Sequence, residues 1–173
     1  QAFAAKLRSP MGPETTALAF IEDHLNPRFA LVARGADGQV QGVAGFKTSE
    51  GALIGGDLRG LARHYGWLST LWRAPLLALL ERELADDVLL MDGICVAQSA
   101  RGLGLGTALL QAVKDEGRAR GLRFVRLDVI DRNPRARALY EREGFVAGET
   151  ETLGPLRYIF GFDSSTKMLC PLR

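Results

Sequence analysis

The stretch Arg101-Gly102-Leu103-Gly104-Leu105-Gly106 constrains this chain more than any other. It lies between an apolar, strand-like run, Val88 to Val96, and an apolar run at helical spacing that begins at Leu105. Three alternating glycines where a strand hands over to a helix leave the backbone bare at the helix's positive end. Bare N–H groups there suit a diphosphate. The same glycines also serve a turn that merely lets strand and helix pack closely, and the loop alone leaves both readings open. Spacing removes two familiar phosphate loops. The dinucleotide fingerprint G-x-G-x-x-G needs a glycine where Thr107 stands, and the P-loop needs a lysine where the chain has none before Lys114.

The rest of the chain reads as alternating elements. Pro13 to Leu25 has helical spacing and is stopped by Asn26-Pro27. Phe29 to Ala33 and Val40 to Thr48 flank Gly35-Ala36-Asp37-Gly38, a hairpin signature. Asp57 is placed to cap a helix running through Tyr65, and Pro75 to open another through Leu84. The near-continuous apolar character of Val88 to Val96 predicts a central strand covered on both faces. After the glycine turn, Leu105, Ala108, Leu109, Ala112 and Val113 form a helical stripe that ends at Gly121. Phe124 to Ile130 follows as a strand. Asn133-Pro134 then opens a helix ended by Gly144, and strands are expected over Phe145 to Glu149 and Lys167 to Leu172. This order predicts one α/β domain over 1–173, with a mixed, mostly antiparallel central sheet flanked by helices.

At 173 residues the chain is long enough for a sizeable core, and its net charge of +2 does not imply a nucleic-acid binder. Between Arg101 and Arg142, however, basic residues outnumber acidic ones, which suits an anionic ligand; solvated helix faces would account for much of the same excess. Cys95 and Cys170 show neither a disulfide framework nor metal spacing, so no metal is expected and the compartment reads as reducing. The longest apolar run, Ala74 to Leu80, is too short to span a bilayer. With no signal peptide at its start, the chain is expected in the cytoplasm. It opens Gln1-Ala2-Phe3, like the middle of a helix, so a preceding N-terminal strand is expected to be missing.

A second signature sharpens the glycine turn. Asn133 to Phe145 reads N-x-x-A-x-x-L-Y-x-x-x-G-F. Together with Val96 to Gly106 it closely resembles the GCN5-related N-acetyltransferase (GNAT) superfamily, most strongly from Met91 to Phe145. The resemblance implies a GNAT-like sheet whose central strands are splayed at an acetyl-CoA site. It implies that Arg101, Gly102, Leu103, Gly104, Leu105, Gly106 and Thr107 hold the pyrophosphate of coenzyme A, and that the backbone of Ile94, Cys95 and Val96 pairs with the pantetheine arm. Asn133 would bond the pantetheine side while capping its helix. Tyr140 would contact the cofactor and protonate the departing thiolate; the alternative role for Tyr140 is a core aromatic.

The implied reaction is direct attack of a primary amine on the thioester, with the oxyanion held by the Val96 N–H. Asp128 and Asp92 are candidate bases, and each has an alternative role as partner to a nearby arginine. Cys95 is discounted as a nucleophile, since mid-strand cysteines usually behave as small hydrophobes. Residues 50–85 depart from a minimal family member; His64, Tyr65, Trp67 and Trp72 would wall an acceptor pocket or sit in plain core, with Arg157, Tyr158 and Phe160 as a second wall. A small-molecule acceptor is favoured over a protein or peptide amine, and a non-catalytic acyl-CoA sensor is the reading from another class. No nucleic acid or membrane partner is expected, and an exposed terminal strand leaves room for a homodimer.

Overall fold

The computed structural model describes residues 14–55, 58–78 and 84–173. In chain order the elements are α1 (Glu14–His24), β1 (Ala30–Arg34), β2 (Val40–Thr48), β3 (Gly51–Ala52), α2 (Leu58–Tyr65), α3 (Trp67–Ala78), β4 (Val88–Val96), α4 (Leu105–Ala119), β5 (Phe124–Ile130), α5 (Pro134–Arg142), β6 (Val146–Thr152), α6 (Arg157–Phe160) and β7 (Ser164–Pro171). The strands form one seven-stranded sheet in the order β1-β2-β4-β5-β7-β6, with β3 paired to β2. Only β4 and β5 run parallel; every other pairing is antiparallel. The expected mixed, mostly antiparallel sheet is therefore present.

Local chemistry explains the joints. In the β1–β2 turn the Gly35 N–H donates to the Gln39 carbonyl at 2.9 Å, and Asp37 Oδ1 accepts from the Gln39 N–H at 3.0 Å. The parallel step from β4 to β5 needs a crossover, and α4 supplies it. Helix α4 stops where the Leu122 N–H bonds back to the Gly117 carbonyl and Gly121 takes φ +71°. The strand expected from Phe145 to Glu149 continues to Thr152, and the final strand begins at Ser164, because Thr152 and Ser164 are the first cross-strand pair of the β6–β7 ladder.

The core lies on one face of the sheet. Leu89 and Met91 of β4, Val125, Leu127 and Val129 of β5, and Met168 of β7 are covered there by Leu109, Leu110 and Val113 of α4 and by Tyr140 of α5. The buried stripe of α4 is rotated from the expected one. Leu110, Lys114 and Gly117 are buried while Ala108 is exposed. Gly117 explains part of the rotation, since a Cβ there would come 2.6 Å from Leu172 Cδ1. Lys114 explains the rest by reaching the end of α5.

A smaller cluster holds the N-terminal helices, with Phe20 and Leu61 packed against Ala17, Ile54, Tyr65 and Ala74. A bridge between Leu25 and Ile54 ties it to the sheet region. Pro75 does not open a helix; it lies inside α3. The break that the proline was expected to mark is made earlier by Gly66, at φ +75°, between α2 and α3. The expected cap Asp57, the opening residues through Pro13, and residues 79–83 at the end of the helix expected through Leu84 lie outside the described residues. Among the described residues, no helix is long and apolar enough to cross a membrane.

Candidate active site

The two parallel strands part company midway. β4 and β5 pair from Val88–Phe124 to Met91–Leu127 and no further. Beyond that row β4 stays with β2 up to Val96, while β5 stays with β7 up to Ile130. A bulge marks the fork: Gly45 pairs with Gly93 and Phe46 with Met91, so Asp92 is an extra residue in β4. The extra residue reverses which side chains face the core. Leu89 and Met91 do so before it, and Ile94 and Val96 after it.

The phase of the β2–β4 ladder shows which peptide groups enter the fork. The Ala97 N–H donates to Gln41 O at 2.8 Å, and on the other side of β2 the Leu53 N–H donates to Phe46 O at 3.1 Å. Antiparallel pairs alternate between bonded and unbonded, so Gly93 and Cys95 spend their peptide groups on Gly45 and Val43. The peptide groups of Ile94 and Val96 point the other way, into the gap that β5 leaves. The Val96 carbonyl accepts from Arg101 Nε at 3.4 Å.

The glycine turn begins where this open edge ends. Gly102 and Gly104 take φ of +81° and +78°, and Gly104 is the residue on which α4 begins. The first hydrogen bond within α4 runs from the Ala108 N–H to Gly104 O. The N–H groups of Leu105, Gly106 and Thr107 thus precede any helical acceptor. Arg101 to Gly104 and Thr107 are exposed, and Gly106 lets the helix end approach α5, since a Cβ there would meet Leu139 Cδ2 at 3.1 Å. An open strand edge flowing into an exposed helix N-terminus offers amide partners and then an anion site in one line.

Helix α5 closes the site from the core side. Asn133 caps it, with Oδ1 accepting from the Ala136 N–H at 3.3 Å and Pro134 in the first turn. Tyr140 is 7% exposed and stands in the core cluster, with its ring 6.0 Å from that of Phe145. Burial pushes its phenol up to about 12, and its hydroxyl makes no hydrogen bond among the described residues. A phenol in that state stays protonated at neutral pH and has a proton to give.

The opposite face of the sheet carries the polar groups. Arg126 and Asp128 project there from β5, and Lys167 and Leu169 lie across from them on β7. Arg126 Nη2 lies 3.3 and 3.4 Å from the two Asp128 oxygens, and both side chains are largely buried. Asp128 follows the last residue of β5 that pairs with β4, and Asp92 follows the last such residue of β4. Both carboxylates therefore sit at the fork. Below it is a cavity of about 490 Å³ lined in part by Val88, Phe124, Arg126, Lys167 and Leu169.

The aromatic residues weighed as walls of an acceptor pocket are not among the residues that line this cavity. His64 Nε2 is 2.9 Å from Asp23 Oδ2, Tyr65 packs in the small N-terminal cluster, and Trp67 and Tyr158 are exposed. Phe160 is buried, with its ring 6.3 Å from that of Phe162, and Arg157 lies over the Tyr158 ring. The Trp72 side chain lies outside the described residues. Cys95 is an exposed thiol on β4. Lys167 and the cavity floor escaped sequence reasoning. The signal was a lysine inside an otherwise half-apolar strand, which means nothing until β7 is known to lie beside β5.

The arrangement has known counterparts. A sequence profile of the Acetyltransferase (GNAT) family matches residues 3–145. The chain belongs to the GNAT acetyltransferase family. It is 43% identical over 72 residues to "Probable N-acetyltransferase camello" of Xenopus tropicalis, a match covering 42% of this chain and 33% of that protein. The matched segment thus spans only about a third of this GNAT relative. A GCN5-related N-acetyltransferase structure from Kribbella flavida superimposes with a TM-score of 0.63 at 22% identity, covering 98% of this chain and 88% of the other. Nourseothricin acetyltransferase gives 0.57 at 24% identity over 83% of this chain and 65% of that one. A Bacillus anthracis structure solved in complex with acetyl coenzyme A gives 0.53 at 16% identity, covering 83% and 62%. These GNAT structures share the fold of the present chain.

Proposed function

We propose that this GNAT protein is an acetyl-CoA-dependent N-acetyltransferase acting on a small primary amine. One observation carries the reading: the open edge of β4 at Ile94 and Val96 runs directly into the glycine turn at the start of α4. An extended chain of amides ending in a diphosphate matches that sequence of partners. Ile94 offers its N–H and C=O groups, and Val96 its C=O, to the pantetheine amides. Arg101, Gly102, Leu103, Gly104, Leu105, Gly106 and Thr107 present backbone N–H groups to the pyrophosphate, where the helix dipole adds its positive end. Cys95 holds its place in the strand through Val43 and turns its thiol elsewhere. Asn133 fixes the start of α5 and keeps its amide nitrogen for the cofactor side.

In the reaction, the Val96 N–H stabilises the oxyanion formed when the amine attacks the thioester carbonyl. Tyr140 meets the departing sulfur with its O–H; because the ordinary thiol pKa of about 8.5 lies well below that of the buried phenol, it stabilises the thiolate by a hydrogen bond, and the thiolate takes up its proton from water on release. On the other face, Asp128 or Asp92 takes the proton from the incoming amine. The cavity volume of about 490 Å³ suits a small acceptor rather than a folded protein surface.

Coenzyme A binding measured by calorimetry, together with thiol release against a panel of amines, tests the reading. Binding with amine-dependent release is expected; tight binding with no release against any amine would instead mark a sensor. Asp128→Asn is expected to lower kcat/KM by about 100-fold and to displace the acidic limb of its pH profile. If Asp128→Asn and Asp92→Asn both leave that limb in place, the proton goes to water or to another group.

A further inference from the structure

We propose that the acceptor amine carries a carboxylate and that Lys167 binds it. This rests on the reading above, in which the face bearing Asp92 and Asp128 receives the amine. The cavity on that face has an apolar floor of Val88, Phe124 and Leu169 and three charged groups: Arg126, Lys167 and Asp87. Asp87 is engaged by Arg123, with Oδ2 3.4 Å from Nη1. It also follows from the register that Asp87 belongs to the far end, one residue before the Val88–Phe124 row, while Lys167 lies across from Asp128 at the fork. At the fork end Arg126 is engaged by Asp128, which leaves Lys167 as the lining cation placed to meet an incoming anion.

Lys167 is half-buried on β7, and its ammonium makes no ion pair or hydrogen bond among the described residues. Arg126, its neighbour in the lining, is turned toward Asp128. A partly desolvated ammonium beside an apolar floor gains most from an anion that arrives with the substrate. A carboxylate seated on Lys167 leaves the neighbouring amine at the fork, next to Asp128, with its side chain over Val88, Phe124 and Leu169.

The test compares amino acids with their carboxamides, pair by pair, with each rate referred to the neutral-amine fraction because the amide also lowers the pKa of the amine. With the wild-type enzyme, kcat/KM is expected to be about tenfold or more higher for the carboxylate member of productive pairs. Lys167→Met is expected to collapse that ratio by raising KM for the carboxylates, and Lys167→Arg to keep it. Equal or better turnover of the carboxamides by the wild type overturns the assignment while leaving the acetyltransferase reading intact. Coenzyme A binding with no turnover of either member of any pair overturns the small-amine reading and this inference together.

Discussion

Tyr140→Phe is expected to lower kcat by about 100-fold while leaving the affinity for coenzyme A unchanged. The loss corresponds to about 2.7 kcal/mol of transition-state stabilisation, in the range of one positioned acid. The substitution is conservative for the fold, because the hydroxyl makes no hydrogen bond among the described residues and the ring keeps its place against Phe145. What disappears is the O–H donor. Burial holds the phenol at about 12, against an ordinary 10.0, so the group is protonated throughout the neutral range and sets no limb of the rate profile there. The same shift has a stability signature. Between pH 10 and 12 the unfolded chain releases a proton that the folded chain keeps. The contribution is therefore full below pH 10 and is lost by up to about 1.4 kcal/mol per pH unit as pH rises toward 12. Tyr140→Phe should flatten that alkaline slope in a denaturation series. Full turnover by the variant, with coenzyme A bound, would remove Tyr140 from the chemistry and return it to the core.

Lys114→Met is expected to cost about 3–5 kcal/mol of folding stability, read as a lower urea midpoint at unchanged slope. Lys114 Nζ donates to the Glu143 carbonyl at 3.0 Å and lies 3.3 Å from Glu143 Oε2, with side chains 8% and 11% exposed. Water reaches neither partner well, so removing the cation leaves a buried carboxylate whose remaining side-chain partner among the described residues is the Gln111 amide, 2.7 Å away. The double variant Lys114→Met with Glu143→Gln should recover part of the loss, because it removes the uncompensated charge. A loss below about 1 kcal/mol would place the pair among exposed ion pairs. The contact also bears on the site. Glu143 is the residue on which α5 ends, and both its N–H and that of Phe145 bond to the Tyr140 carbonyl. The lysine thus fixes the end of the helix that carries the proposed acid.

The elements around the glycine turn were readable because their signals are local. Asn133-Pro134 opens a helix by capping chemistry, Gly121 and Gly144 end helices by adopting positive φ, and Val40 to Thr48, Val88 to Val96 and Phe124 to Ile130 appear with the expected bounds. What stayed hidden depends on partners distant in sequence. The rotation of the α4 stripe follows from Leu172 against Gly117 and from Glu143 on Lys114. Pro75 misleads because a proline reads as a helix opener, while Gly66 makes the actual break. That Ile94 and Val96, but not Cys95, present peptide groups to the fork follows only from the phase of the β2–β4 ladder. The aromatic residues His64, Tyr65 and Trp67 attract attention by composition, yet the cavity floor is built from ordinary strand residues.

Asp92 gives β4 an odd count. Without that one residue β4 would alternate without interruption, Ile94 and Val96 falling on the core side two and four places after Met91, and the bend that turns the strand away from β5 beyond Met91 would lose its cause. A single-codon deletion would then act on the gap between β4 and β5 while leaving every loop and helix residue in place. The opening in this sheet is thus written in arithmetic rather than in composition, at a position that also bears a carboxylate.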